Sequence, residues 1–320
     1  MYQIFLCAST QGMGSKLLDI FSRLVREHNR EDIEIIKVNS LTRVKLDKSV
    51  KNSLVFIETH KKDSAESFQT LGEFQKKWAN NPVQEVLIVD PNQNYFDVAR
   101  QFKIGNILFN DNFDLPMIWA ITRKLLFEDF FGLKAFFPKG FNEFDQSFTF
   151  SGKFNFNDIL IKAFQDFIPR LDEESKYNFT TAISELTVNA LSYGVYDITP
   201  EDREANQTLS PKFVEVPPEK AIQFHIVEDD EKWGLSVTDQ TGSLTLNRVL
   251  EKIERHTAFN DRPIPAGIED LSGRGLFILS RQNRLVINIL NTIKTEIIIM
   301  RFKDSVLNKY QSFIINEKNP

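Results

Sequence analysis

The sequence predicts two folds in series: an α/β doubly wound parallel sheet, then an α+β sandwich with helices packed on a mostly antiparallel sheet. Three observations carry that expectation. Up to residue 131, short Val- and Ile-rich runs alternate with segments of helical period, the pattern of βαβ units. Residues 132–146 (GLKAFFPKGFNEFDQ) hold glycines and a proline without a sustained period, which marks a boundary. Beyond it, the β-like runs fall in neighbouring pairs joined by short turns, the habit of antiparallel strands. A chain of 320 residues has room for two domains of ordinary size. The expected division is a first domain over 1–131, a Phe-rich linker over 132–146, and a second domain over 147–320.

Taken in order, residues 2–8 (YQIFLCA) form a compact apolar run, and 15–27 follow with helical spacing. Further β-like runs stand at 33–38, 53–57, 85–90 and 106–109, with helical segments at 64–79, 94–102 and 115–131. In the second half, 147–151 alternates as a strand and 157–168 fits a helix before Pro169. Residues 195–220 carry Pro200, Pro211, Pro217 and Pro218 in a polar setting, which reads as a long surface loop. The runs 221–227 and 233–238 read as a hairpin around Glu228–Glu231. Segment 246–257 is helical in pattern, and 285–290 with 295–302 make a closing antiparallel pair around Asn291.

Composition removes several function classes. A formal net charge of −5, with no basic run of five, offers no attraction to nucleic acid or to an anionic membrane. Cys7 is the single cysteine, so neither a disulfide framework nor a thiolate metal site is expected. No apolar stretch approaches the ~20 residues that span a bilayer, and no basic n-region precedes the first apolar run. A cytoplasmic location follows as an expectation. Eleven of the 29 phenylalanines fall within 127–156, which reads as a satellite core between domains; an exposed surface that makes a homodimer is the alternative.

Five strands within the first domain suit a flavodoxin-like layout, and their size and rhythm resemble a response-regulator receiver domain. The residues that carry receiver chemistry are missing. An acid pair after the first strand would hold Mg²⁺, but Cys7-Ala8-Ser9-Thr10 stands there. The phosphoacceptor position falls at Glu58 or Thr59, and the lysine expected after the fifth strand is replaced by Asn110 and Asp111. The domain therefore reads as a degenerate receiver. Glu58 is either a fixed phospho-aspartate-like charge or an ordinary strand-end glutamate. The turn Ser9–Ser15 could cradle a phosphate or a flavin phosphate, but Ser15 follows Gly14 where a P-loop needs lysine, so a plain βα turn with glycines is the simpler reading.

The chemistry concentrates in three stretches of the second domain. In 172–194, Asp172 caps a helix with Glu173 and Glu174 in its first turn, and Phe179, Ala182, Ile183, Leu186 and Ala190 form an apolar stripe. Glu185 and Asn189 lie one turn apart on a neighbouring face, where a carboxylate and an amide oxygen can share a hydrated cation. A solvated polar face explains the same pair. In 233–246 (WGLSVTDQTGSLTL) a β run ends at Asp239, followed by a turn with Gly242, and in 271–281 (LSGRGLFILSR) Gly273 and Gly275 open an apolar helix.

Glu-x-x-x-Asn on a helix, Asp-x-x-Gly after a strand and Gly-Arg-Gly-Leu entering a helix resemble, in that order, the N, G1 and G2 boxes of the GHKL ATPase superfamily. The closest look is to the anti-sigma-factor serine kinases of bacterial partner switching, over roughly residues 145–303. The resemblance implies ATP and Mg²⁺ as cofactors, with Asn189 as metal ligand, Glu185 as catalytic base and Asp239 accepting the adenine amino group. It places Gly242, Gly273, Arg274 and Gly275 around the nucleotide, and makes 243–272 a lid with Arg255, His256 and Arg262 as candidate phosphate contacts. Thr241 and Ser243 depart from the glycines usual in the G1 box, and Tyr193-Gly194 from the His-Gly that often closes the N box.

The resemblance implies a signalling protein that binds ATP·Mg²⁺ and either phosphorylates a serine of an anti-sigma-antagonist-like partner or sequesters a sigma-like regulator. A non-catalytic interaction module with a vestigial nucleotide pocket is the rival. None of His28, His60, His225 and His256 sits on a helical hairpin suited to a phosphoacceptor, which argues against a complete histidine kinase.

Overall fold

A computed structural model describes residues 1–8, 11–47, 49–59, 65–90, 95–110, 115–127, 131–137, 143–155, 164–198, 213–257, 274–304 and 313–319. The chain divides into two compact units, Met1–Phe130 and Phe131–Pro320.

In the first unit β1 (Tyr2–Cys7), β2 (Ile33–Val38), β3 (Ser53–Glu58), β4 (Val83–Val89) and β5 (Asn106–Phe109) pair in parallel in the order β2-β1-β3-β4-β5. This is the flavodoxin-like order of a doubly wound sheet. The strands are continuous apolar runs because helices cover them: α1 (Gln11–Glu27) buries Leu17, Phe21 and Leu24, one apolar stripe, with Phe21 4.7 Å from Phe56 of β3. α2 (Ala65–Trp78) buries Leu71 and Phe74, α3 (Phe96–Gln101) follows β4, and α4 (Leu115–Phe127) follows β5. Asn52 Nδ2 donates to the carbonyls of Leu125 (3.0 Å) and Leu126 (3.2 Å), satisfying the last turn of α4. The crossover from β2 to β3 holds only a 3₁₀ turn, Leu41–Arg43, among its described residues.

Cys7 ends β1 as a buried thiol, pushed up to about 11 by burial and then by the Glu58 charge, so it stays protonated at neutral pH. Glu58 ends β3 half-buried and Asn110 follows β5, whereas Ser9, Thr10 and Asp111 lie outside the described residues. Burial raises the Glu85 carboxyl from 4.5 to about 7, with the Gln75 amide (3.3 Å) only partly opposing it. The folded unit therefore holds this proton more tightly than the unfolded chain. Its contribution to stability is complete below about pH 4.5 and lost as pH rises through 7. Glu85→Gln is expected to remove that slope and to stabilise the unit at pH 8 by roughly 2–3 kcal/mol; urea melts at pH 5 and 8 measure it, and a variant with the wild-type pH slope contradicts the assignment.

The second unit is built on β6 (Phe144–Phe150), β9 (Ile222–Glu228), β10 (Lys232–Asp239), β12 (Lys294–Phe302), β11 (Arg284–Leu290) and β13 (Phe313–Lys318), in that spatial order. All neighbours are antiparallel except β11 and β13. β7 (Gly152–Asn155) and β8 (Phe213–Val216) form a separate antiparallel pair. Residues Trp233, Leu235, Val237 and Asp239 share one face of β10 because strand side chains alternate. On that face α5 (Glu173–Asn189) sets Phe179 edge-on to Trp233 at 5.4 Å. α6 (Leu246–Thr257) and α7 (Gly275–Gln282) complete the helices of this unit's described part.

Of segment 132–146, expected as a linker, the described residues fall in the second unit: Leu133, Phe136 and Phe137 are buried, and the first and last of these cover Gly234, whose added Cβ would lie 2.9 Å from each. Gly132 N donates to both oxygens of the buried Glu296 (2.9 and 3.2 Å), which also accepts from Ser236 and Asn288 and so has its lone pairs satisfied. The polar segment 195–220, expected as a loop, contains a strand, β8, paired with β7. β13 was not expected at all. The helix read over 157–168 falls mostly outside the described residues, and 168–170 is a 3₁₀ turn. Among the described residues no helix is long and apolar enough to cross a membrane.

Candidate functional site

α5 begins where the sequence places it. Asp172 accepts from Ser175 N at 2.8 Å, and that bond lowers its carboxyl below the usual range. The helix buries Phe179, Ala182, Ile183 and Leu186, leaving Glu185 and Asn189 half-buried on the neighbouring face. Past Asn189 the backbone widens into a π turn, Ala190–Val195, a distortion that commonly accompanies function. It sets Tyr193 in line with Asn189 and brings Gly194 onto Asp239, where an added Cβ would lie 3.0 Å from the aspartate Cβ.

Glu185, Asn189 and Tyr193 line a cleft of about 620 Å³, counting space open to solvent. Its other walls are Ser243, Leu244, Arg248 and Lys252, then Gly275 and Leu276 at the start of α7, and Ile297 of β12. The structure thus brings together Glu185, Asn189 and Gly275, three residues singled out from the sequence. Gly275 has a steric reason to be glycine, because a Cβ there would collide with the Glu185 carboxylate. Arg274 takes the N-cap position of α7, exposed and outside the cleft lining. Gly273 and Arg262 lie outside the described residues.

Asp239 is placed beside the cleft rather than on its wall. Thr241 N (3.0 Å) and Thr241 Oγ1 (2.6 Å) both donate to its Oδ1, while burial, the larger influence, raises its carboxyl above the ordinary range. Directly opposite in register is Thr295, on the same face as cleft-lining Ile297. The Thr295 hydroxyl and the Ser192 hydroxyl in the π turn are both buried without a hydrogen-bond partner among the described residues, and such groups call for a ligand or water. Gly242 has φ +58°, and an added Cβ would collide with Leu290 O and lie 2.7 Å from Ile293 N. Its close approach is therefore to the β11–β12 turn. Ser243 Oγ donates to Tyr193 O at 3.2 Å and ties this loop to the π turn.

The sequence reading missed Arg248 and Lys252. Of the phosphate contacts it named instead, His256 is buried and stacked on Phe277 with ring centroids 5.4 Å apart, its Nδ1 at 2.9 Å from Lys252 O. Arg255 is exposed and does not line the cleft. The period of α6 narrows the choice without deciding it: Leu246, Val249, Leu250 and Ile253 mark the buried stripe, and 248, 252 and 255 all fall on the opposite side. The cleft lining then carries two cations to one carboxylate, an environment that favours an anionic ligand.

No family model matches the chain, and no curated protein matches it. Among solved structures it is similar to the response regulator receiver protein from Pseudoalteromonas atlantica, at 12% identity over 40% of this chain and 98% of that one, with a TM-score of 0.31.

Proposed function

We propose that the second unit binds ATP with Mg²⁺ and acts as a serine kinase, or as a nucleotide-dependent regulator, toward a protein partner of the anti-sigma-antagonist kind. The observation that carries this reading is the meeting of Glu185, Asn189 and Gly275 in one cleft, with Arg248 and Lys252 also on its lining. The residues present suit the ligand: Asp239 beside the cleft, with the partnerless Thr295 hydroxyl opposite it in register, suits a polar heterocycle, and the apolar Leu244, Leu276 and Ile297 suit its flat faces. Mg²⁺, when bound, would neutralise phosphate charge, and it commonly takes only one or two protein ligands beside the phosphates. Asn189 would be that ligand through its amide oxygen. Glu185, one turn earlier, would take the proton of the attacking serine hydroxyl.

One observation favours the rival reading of binding without turnover. Where the G1 box usually carries a freely turning glycine, Thr241 makes two hydrogen bonds to Asp239, which fastens the loop that would hinge the lid. Asn189→Ala separates binding modes. In wild type, ATP is expected to bind about tenfold more tightly with Mg²⁺ than with EDTA, the worth of one good ligand; in the variant the two affinities should converge. A variant that keeps the full Mg²⁺ dependence removes Asn189 from the role. Incubation with labelled ATP and a Glu185→Gln control then decides turnover.

A further inference from the structure

The nucleotide reading leaves open what the cleft measures in its ligand. We propose that Arg248 and Lys252 form a cationic wall that counts phosphates, making the cleft selective for a chain of three over shorter ones. The inference rests on the reading of this cleft as a nucleotide site. Both side chains line the cleft from one face of α6, one turn apart. Like charges at that spacing repel and cost an isolated helix a few tenths of a kcal/mol, whereas an anion spanning both relieves the repulsion.

The helix that carries the wall is held in place by the core. Leu246, Val249, Leu250 and Ile253 are buried on the other side of α6, and Leu246 N donates to Glu317 Oε2 of β13 at 2.7 Å. At the far end His256 stacks on Phe277 of α7. The backbone beneath the two cations is therefore ordered by the core of the unit, while Arg248 itself is exposed, so a ligand orders the side chains and not the helix. The two groups differ in what they hold: the arginine fork can grip two phosphate oxygens at once, and the lysine acts as a point charge. Glu185, also on the cleft lining, repels an anion that lacks a bridging cation. A nucleoside has no group for this wall, a monophosphate has one, and a triphosphate has enough to engage both cations.

The test is calorimetric titration of the full chain with adenosine, AMP, ADP, ATP and inorganic tripolyphosphate, each with Mg²⁺. The proteins are wild type, Arg248→Ala, Lys252→Ala, the double variant, Lys252→Arg and the control Arg255→Ala. Each single truncation is expected to weaken ATP by about 10-fold or more, the worth of one hydrogen bond to a charged group. The double variant should lose tripolyphosphate and most of the preference for ATP over ADP, with adenosine unchanged. Lys252→Arg should restore most of the ATP affinity, and Arg255→Ala should match wild type. An unchanged ATP-to-ADP ratio in the double variant, or an equal loss of adenosine binding, overturns the inference while sparing the nucleotide reading. Wild type that binds tripolyphosphate and no nucleotide refutes that reading and supports the wall; wild type that binds neither refutes both.

Discussion

Asp239→Asn is expected to bind ATP roughly 10- to 150-fold more weakly than wild type, while the free protein melts at a higher temperature at pH 7. Two opposed effects of one carboxylate produce this. Thr241 donates twice to Oδ1, so an asparagine will point its single carbonyl oxygen there. Gly242 N donates to the same carboxylate. The NH₂ group of the variant replaces an oxygen that, on the nucleotide reading, would accept the adenine amino group, and a donor then faces a donor. Stability runs the other way. Burial is the main influence on Asp239, and it raises the folded carboxyl above its unfolded value. The stability this group contributes is complete below its unfolded pKa and is lost as pH rises through the folded one, so at pH 7 the wild type carries an unfavourable buried charge. The neutral variant does not. ATP affinity of wild type should also fall on acidification at a pH above the ordinary carboxylate range, and the variant's profile should be flat there. Calorimetry with thermal melts checks both halves; a variant that binds ATP as wild type does, or melts lower, contradicts this account of the aspartate.

Gly242→Ala is expected to destabilise the second unit by roughly 2–5 kcal/mol, a large part of a domain's total stability. Its φ of +58° is unfavourable for any L side chain, and the added methyl would run into the backbone of the β11–β12 turn at Leu290, Thr292 and Ile293. Gly152 separates those two causes. It has φ +84° with nothing within 4 Å of an added Cβ, so Gly152→Ala should lose only the conformational part, about 1–2 kcal/mol. Denaturant midpoints of the two variants measure the difference. A Gly242→Ala protein no worse than Gly152→Ala would mean the turn yields, and the loop that carries Asp239 is not pinned by it.

What the sequence made legible was local. The cap at Asp172, the stripe from Phe179 to Leu186 and the one-turn spacing of Glu185 and Asn189 all depend on neighbours within one helix, and α5 appears where they put it. The parallel strands of the first unit were legible because each is an uninterrupted apolar run. Gly242 was readable as a turn glycine, but the β11–β12 turn it packs against lies some fifty residues away. β8 and β13 were missed although their Phe, Val and Ile are good strand formers: β8 stands in a polar, proline-bearing segment, and each strand pairs with a partner that does not directly precede it in the chain, β7 in one case and β11 in the other. The Phe-rich stretch looked like a linker for a similar reason. Its segment 132–137 has no period of its own, and only Gly234 and Glu296 of distant strands explain its burial. Thr295 was not legible because its relation to Asp239 is cross-strand register, and Arg248 with Lys252 because no box of the family pattern falls on them and only the packing of α6 sets them on the cleft.

The central claim is that the α5 pair, the aspartate closing β10 and the mouth of α7 enclose one nucleotide. The most direct test is a crystal structure of the chain grown with Mg²⁺ and millimolar non-hydrolysable ATP analogue. The account predicts the adenine against Asp239 and Thr295, the metal on Asn189, and the phosphates between Gly275 and the Arg248–Lys252 face. An empty cleft under those conditions, or an analogue bound only at the glycine-bearing turn before α1 in the first unit, would contradict it.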